Sequence, residues 1–470
     1  MQRWIITSAL GLAAAALAVT IMRAPPQLAQ AKPVLHDVDV ADPEPLPVTA
    51  LQLEDGMASR ASMDRTAHAI GSSQERFLVV EVQAPEAAIS DRPPLHLAVV
   101  MDRSGSMEGE SMDNAKRAAI SMVQRLNPAD SFSMVGFSDT ADTVIPRQAV
   151  WDEELLAATI QGVRAGGYTN LHAGLEQGIA QLASKPGGNR RVVLLSDGLT
   201  NRGVTDPEAI ATLAARATQA GVTVSVLGLG VDFDGDLLYA VSDAGGGSYL
   251  YAGRSTELVE RFEAELDRAF TVAAHDTRVD VNLADGVEVL EVYGYEDWDG
   301  KATADGFEAF LGDLSAQETR KVVIRARVPS EHSEQLQVAT VEISWQDPQT
   351  GERLTHQHLV TLDVTDDVAQ LRSSRVPWAT VQASTAEVGR HMQWASEAWD
   401  RGERDQAQQV LERGSQRLVQ LTRGLDDPRI AQLDGRMDKQ KSSYRTTVRD
   451  SWEGADLHIS EGLRALGYLN

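Results

Sequence analysis

The sequence predicts a doubly wound α/β (Rossmann-like) domain, followed by an antiparallel β-sandwich domain and a C-terminal helical region. Three observations carry this. Over residues 92–272, short apolar runs alternate with amphipathic helical stretches. Over 277–366 there are short segments of alternating polarity with Gly, Pro and Asp between them, and from Ala369 apolar residues recur at helical spacing. A chain of 470 residues has room for this, at roughly 100–200 residues per domain.

In the α/β region the expected strands are Leu95–Met101, Phe132–Phe137, Val192–Leu195, Val222–Leu229 and Ser248–Tyr251. Continuous apolar runs of this length fit parallel strands covered on both faces. The expected helices between and after them are Met112–Leu126, Glu153–Val163, Leu171–Leu182, Pro207–Ala220, Leu237–Ala244 and Ser255–Ala273. In the first, Ala115, Ala118, Met122 and Leu126 share one face.

The sandwich strands are read at Val279–Leu283, Val287–Val292, Phe307–Leu311, Lys321–Val328, Leu336–Trp345 and Thr355–Val364. One further strand, Arg76–Gln83 within residues 76–91, precedes the α/β region and has no place in its pattern, so it is expected to join the later sheet. In residues 369–470, Trp378, Val381, Val388, Met392, Ala395 and Trp399 mark one helix, broken at Gly402. Ala407, Val410, Leu411, Leu418 and Leu421 mark a second, ending at Gly424. Beyond Asp426 the chain reads as a polar tail with a short apolar end, Leu463–Leu469. Trp378, Trp394 and Trp399 are expected in the core of the helical hairpin.

At the other terminus, Met1–Arg3 is basic, Trp4–Met22 carries no charge, and a polar stretch ends in the small-x-small pattern Ala29-Gln30-Ala31. Residues 1–31 therefore read as a secretory signal peptide cleaved after Ala31, or as an uncleaved membrane anchor, since 19 uncharged residues are long enough to span a bilayer. Both place the bulk of the chain outside the cytoplasm: periplasmic, secreted or anchored. Residues 32–75, rich in Pro, Ala, Asp and Ser, are expected to form a flexible linker.

Charge narrows the function. Lys and Arg number 43 against 68 Asp and Glu, a formal net charge of −25, which argues against nucleic acid because phosphate binding needs clustered cations. The absence of cysteine excludes disulfides, thiolate metal sites and cysteine nucleophiles.

The chemistry concentrates at strand ends. The first parallel strand runs into Asp102-Arg103-Ser104-Gly105-Ser106, and a later one into Ser196-Asp197-Gly198. Between them, Gly166-Gly167-Tyr168-Thr169-Asn170 leads into a helix. Ligands of open α/β sheets bind at the carboxyl ends of strands. Asp102, Ser104, Ser106, Thr169 and Asp197 supply two carboxylates and three hydroxyls, an all-oxygen set suited to Mg²⁺, with Mn²⁺ or Ca²⁺ as alternatives.

Asp102-x-Ser104-x-Ser106, Thr169 and Asp197, in that order, resemble the metal-ion-dependent adhesion site of von Willebrand factor type A domains. Arg92 to Asp102, Gly228-Leu229-Gly230-Val231-Asp232 and Gly245-Gly246-Gly247-Ser248-Tyr249 are similar to bacterial members of that family. The order of a strand before and a sandwich after is similar to bacterial proteins like the inter-alpha-trypsin inhibitor heavy chains. The resemblance covers residues 92–272. It implies a module that binds protein through a divalent cation and is not an enzyme: Asp102, Ser104 and Ser106 as first-loop ligands, Thr169 as the second and Asp197 as the third. The partner would offer an acidic side chain to the metal.

Other signals are weaker. Asp232, Asp234, Asp236 and Asp243 suggest a calcium loop, but the sixth position is Leu237 and the twelfth is not Glu, so these acids read as a helix N-terminal cluster. His356 and His358 share one side of a strand without an evident third ligand, and read as surface histidines. His172 is the one candidate base near the serines. The expected function is a cation-dependent adhesion or scaffold protein outside the cytoplasm. The alternative is an envelope assembly factor that binds partners mainly through its helical C-terminal region.

Overall fold

A computed structural model describes residues 51–447 except 53–55, 72, 87–92, 184–187, 230–233, 253–266, 268, 295–299, 304–305 and 330–334. Residues 1–31, the start of the expected linker, part of the predicted Ser255–Ala273 helix and the apolar end Leu463–Leu469 lie outside the described residues.

The chain enters through four strands: β1 (Leu51–Gln52), β2 (Ala58–Met63), β3 (Ala67–Ala69) and β4 (Gln74–Gln83). The first three correct the expectation of linker through residue 75. Their sequence carries little alternation because they lie at or near sheet edges, where pairing rather than a two-sided apolar core fixes the backbone.

The α/β domain follows: β5 (Leu95–Asp102), α1 (Glu110–Arg125), β6 (Ser131–Phe137), β7 (Ala141–Ala149), α2 (Glu153–Gln161), α3 (Leu171–Leu182), β8 (Asn189–Ser196), α4 (Pro207–Gln219), β9 (Thr223–Leu229), α5 (Gly235–Ala244) and β10 (Gly246–Ala252). Its sheet runs β10-β9-β8-β5-β6-β7. All pairs are parallel except β6 with β7, so the sheet is mixed. The sequence reading missed β7 because it is an edge strand with one buried residue, Ile145.

Every residue of β5 is buried, and alternation divides them between two cores. Leu95, Leu97, Val99 and Met101 pack with α1 and α2, whereas Ala98 and Val100 pack with α3, α4 and α5. Helix α3 lies close against the sheet through two glycines one turn apart. A Cβ at Gly178 would stand 2.2 Å from Val100 Cγ2, and one at Gly174 2.5 Å from the Phe137 ring.

Beyond this domain come β11 (Val272–Leu283), β12 (Glu288–Tyr293), β13 (Gly300–Thr303), β14 (Gly306–Ser315), β15 (Thr319–Val328), β16 (Gln335–Gln346) and β17 (Arg353–Thr365). The early start of β11 ends the predicted 255–273 helix before Val272. With β1–β4 these strands form two sheets, β1-β2-β4-β15-β12 and β13-β14-β11-β16-β17-β3. Strand β4 pairs antiparallel with β15 from Gln83↔Thr319 to Gln74↔Val328. The two sheets enclose a core that includes Leu78, Val80, Val281, Ile324, Ile343 and Trp345.

Among the described residues four helices follow: α6 (Val368–Ser373), α7 (Pro377–Asp400), α8 (Arg404–Thr422) and α9 (Pro428–Thr446). Ala379, Ala383 and Ala386 of α7 pack on Phe77, Val79, Tyr293 and Val323, so small residues let the helix lie against the sheet. The first part of the polar tail expected after Asp426, Pro428–Thr446, is a helix. It buries a sparse row, Leu433, Met437, Gln440 and Tyr444, at its helical repeat. Asp427 caps it and Pro428 occupies its first turn, a start signal present in the sequence. Of the three tryptophans, Trp399 is buried and stacks on Tyr444 with ring centroids 4.5 Å apart. Trp378 carries the Arg60 guanidinium 3.9 Å from its ring, and Trp394 is exposed instead of core. Among the described residues no helix is long and apolar enough to cross a membrane.

Candidate metal centre

Strands β5 and β8 are neighbours, yet after β5 the chain first builds β6 on the opposite side. The crevice at their carboxyl ends is thus the switch point where open α/β sheets bind ligands. Asp102 ends β5 and is fully buried. Both its oxygens are held: the Ser104 N–H donates to Oδ1 (2.8 Å) and the Ser196 hydroxyl to Oδ2 (2.7 Å). The Ser104 and Ser106 hydroxyls are 3.0 Å apart, and the Ser106 hydroxyl lies close enough to the Asp197 carboxylate to favour its charged form. Asp197 also accepts the Leu199 N–H at 3.3 Å. Asp102, Ser104, Ser106 and Asp197 therefore form one connected cluster.

Thr169 joins it through backbone. Gly105 N–H donates to Gly167 O (3.0 Å) and Gly166 N–H to Arg103 O (2.7 Å), lacing the first loop to the second. The Thr169 carbonyl accepts from Asn201 N–H (3.0 Å), Arg202 N–H (3.1 Å) and the Thr200 hydroxyl (3.1 Å), while its own N–H donates to Asn201 Oδ1 (2.8 Å). Gly167 takes φ 94°, and a Cβ there would meet Asp139 Oδ2 at 2.5 Å, so this loop position requires glycine. Asn170 caps α3 by accepting the Ala173 N–H, which fixes where the helix begins relative to Thr169.

The electrostatics are unbalanced. Burial, reinforced by the nearby charge of Asp197 and opposed by the bonds from Ser196 and Ser104, pushes the Asp102 carboxyl up to about 6. Burial likewise raises Asp197 against the nearby Ser106 hydroxyl and the bond from Leu199. Two buried carboxylates that repel each other are relieved by a cation between them. Among the described residues no three His, Cys, Asp or Glu side chains gather as a metal site, so a cation here would need the hydroxyls of Ser104, Ser106 and Thr169. A hard oxygen set of that composition fits Mg²⁺ or a similar ion.

The sequence of residues 96–265 matches the model of the von Willebrand factor type A domain family. This segment is a von Willebrand factor type A domain. An uncharacterized protein of Synechocystis sp. is 28% identical over 297 residues, 62% of this chain and 70% of that protein. Inter-alpha-trypsin inhibitor heavy chain H1 of Mesocricetus auratus is 29% identical over 164 residues, 31% of this chain but only 17% of the animal protein. The solved structure of a von Willebrand factor type A protein from Catenulispora acidiphila superposes with a TM-score of 0.67 at 17% identity, covering 87% of this chain and 96% of that one. The fold beyond the type A domain itself is thus shared. Domains of this family commonly mediate protein–protein interaction or adhesion.

Three supporting residues escaped the sequence reading. Ser196 anchors Asp102, Asn201 anchors Thr169, and Asp139 lies under the second loop, its Oδ2 3.4 Å from the Tyr168 N–H. Ser196 immediately precedes Asp197, so its position at the strand end was a usable signal; Asn201 and Asp139 carry none. Among the described residues no hydrogen bond joins His172 to Ser104 or Ser106. His356 is buried rather than on the surface: its Nδ1 is 3.0 Å, and His358 Nε2 2.9 Å, from the Ser59 hydroxyl on the opposite sheet. Asp234 caps α5 by accepting the Leu237 N–H at 3.1 Å, a helix-start role, while Asp232 lies outside the described residues.

Proposed function

We propose that the protein binds a partner protein outside the cytoplasm through a divalent cation, Mg²⁺ foremost, held by Asp102, Ser104, Ser106, Thr169 and Asp197. The observation that carries this is the buried pair Asp102 and Asp197, both pushed toward protonation and bordered by hydroxyls, with no cationic side chain bonded to either among the described residues. A bound ion would supply positive charge to which an acidic side chain of the partner could coordinate. The chain's own residues do the rest. Ser196 and the Ser104 N–H aim the Asp102 oxygens, the Gly105–Gly167 and Gly166–Arg103 bonds hold the second loop against the first, and the clamp on the Thr169 carbonyl holds it against the loop after Asp197.

Calorimetric titration with Mg²⁺ and Mn²⁺ tests this. One ion should bind per chain, and Asp102→Ala should remove it while the far-ultraviolet circular dichroism stays that of the wild type. Equal binding by the variant would refute the assignment. Fusing a periplasm-active reporter after residue 447 tests the location; activity confined to the cytoplasm would refute it.

A second reading, partner binding through the helical region, is favoured by exposed Trp394 on α7 and Val419 on α8. Deleting the helices would strip the sandwich sheet of Ala379, Ala383 and Ala386, so the sound test is the pair Trp394→Ser and Val419→Ser. If a metal-dependent complex survives this change, the second reading fails.

A further inference from the structure

Ten large apolar side chains stand exposed among the described residues, and three of them lie on the two loops that carry Thr169 and Asp197: Tyr168 (58% exposed), Leu199 (39%) and Val204 (40%). Tyr168 directly precedes Thr169, and Leu199 lies two residues after Asp197. Val204 follows the segment whose Asn201 and Arg202 N–H groups bond the Thr169 carbonyl. The same segment approaches the second loop at Gly203, where a Cβ would stand 2.4 Å from Asn170 Oδ1. The three side chains therefore belong to two loops sewn together, not to separate tips. Beside them the exposed Arg202 guanidinium stands 5.8 Å from the centre of the Tyr168 ring and has no carboxylate partner among the described residues.

Single exposed apolar residues need no explanation, but a group gathered at a strand-end site does. Charge complementarity says what covers it. The chain carries −25 overall, so an acidic segment is repelled by most of the surface and drawn to a spot where a bound cation would sit near the exposed Arg202 guanidinium. Consecutive residues of an extended chain are about 3.3–3.6 Å apart, so a residue next to a captured carboxylate reaches side chains adjoining Thr169 and Asp197.

Resting on the cation reading above, we propose that Tyr168, Leu199, Val204 and Arg202 form a collar that selects the partner segment. Its occupant is an extended loop or terminus of another protein in which an Asp or Glu adjoins a large apolar residue. The carboxylate goes to the ion, the apolar side chain packs on Tyr168, Leu199 and Val204, and Arg202 attracts the segment's remaining negative charge.

The test uses the full chain on an array of synthetic peptides with a Gly-Ser background. Each bears a central Glu flanked by Leu or Phe, by Ser, or by Lys, with Gln replacing Glu in controls, in Mg²⁺ and in EDTA. Wild type should prefer Glu with an apolar neighbour by about tenfold or more over Glu with Ser, in Mg²⁺ only. The triple variant Tyr168→Ser, Leu199→Ser, Val204→Ser should lose this preference yet keep Glu-dependent retention and bind Mn²⁺ as wild type does in calorimetry. Equal retention of Glu-Leu and Glu-Ser peptides by wild type overturns the collar and leaves the cation reading standing. Retention insensitive to EDTA, or to Glu→Gln, or absent throughout, overturns both. Loss of Mn²⁺ by the triple variant makes these side chains structural and overturns the proposal. So does loss, in that variant, of wild-type binding to phosphatidylglycerol vesicles, which would make a membrane the occupant.

Discussion

The His275 imidazole joins the von Willebrand factor type A domain to the sandwich: its Nδ1 lies 3.0 Å from Asp313 Oδ1 of β14, and its Nε2 2.8 Å from Asn189 Oδ1 of β8. Both neighbours present oxygens, so the doubly protonated ring can donate to each and its charged form is favoured. The Thr223 hydroxyl of β9 donates to the other oxygen of Asp313, so the His275–Asp313 pair of the sandwich is tied to two strands of the neighbouring domain, β8 through His275 and β9 through Asp313.

This pair makes the joint pH-dependent. Burial disfavours the charge of His275, but the charge and hydrogen bond of Asp313 outweigh it and raise its pKa. Burial also opposes ionisation of Asp313, yet the His275 charge and bond, with Arg191 and Thr223, hold it down at about 2. A raised histidine stabilises fully below its unfolded value of about 6.5, and that contribution is lost as pH rises through the folded value. A depressed aspartate stabilises above its unfolded value of about 3.9 and loses this as pH falls toward 2. The joint should therefore be strongest between about pH 4 and 6.5. Thermal melts at pH 5.5 and 8.5 should show wild type losing stability with rising pH relative to His275→Gln. His275→Ala, which strands a buried carboxylate, should cost about 3–5 kcal/mol.

Cation binding should appear as stability. At a free ion concentration a hundred times the dissociation constant, wild type gains about 2.7 kcal/mol, a rise of a few degrees in Tm. Asp102→Asn should show no such rise, because it removes the carboxylate whose repulsion with Asp197 the ion relieves. A differential scanning fluorimetry series in Mg²⁺, Mn²⁺ and EDTA reads this directly.

Gly178→Ala places a methyl where Val100 Cγ2 stands 2.2 Å away. Overpacking of this kind should cost about 1–3 kcal/mol in urea unfolding. Because α3 begins at Leu171, pushing it off the sheet should also shift Thr169 and weaken Mn²⁺ binding, although Gly178 touches no ligand.

Trp399→Ala removes the ring stacked on Tyr444 and should cost about 3–5 kcal/mol, loosening α9 from α7. Limited proteolysis should then cut between 423 and 447 before any other described segment, while cation binding stays unchanged.

The candidate site was largely legible because its residues sit at the ends of apolar strands, where burial forces a readable pattern: Leu95–Met101 points at Asp102, and Val192–Leu195 at Asp197. The strands β1–β3 and β7 were not legible. They are edge or near-edge strands, where pairing with a neighbour fixes a backbone that has little hydrophobic pattern of its own, and for β3 that neighbour, β17, lies far along the chain. Helix α9 escaped for a related reason, since four buried side chains over 19 residues leave too thin a stripe.

The sequence alone determined the α/β alternation and the order of the five candidate oxygen ligands, because local periodicity and strand-end motifs are written in neighbouring residues. Only the tertiary structure decided which groups support them. Ser196 is 94 residues from the Asp102 it anchors, Asn201 is 32 from Thr169, and the apolar group of Tyr168, Leu199 and Val204 exists only once two loops are laced together. Such contacts depend on chain closure over long separations, which no local pattern encodes.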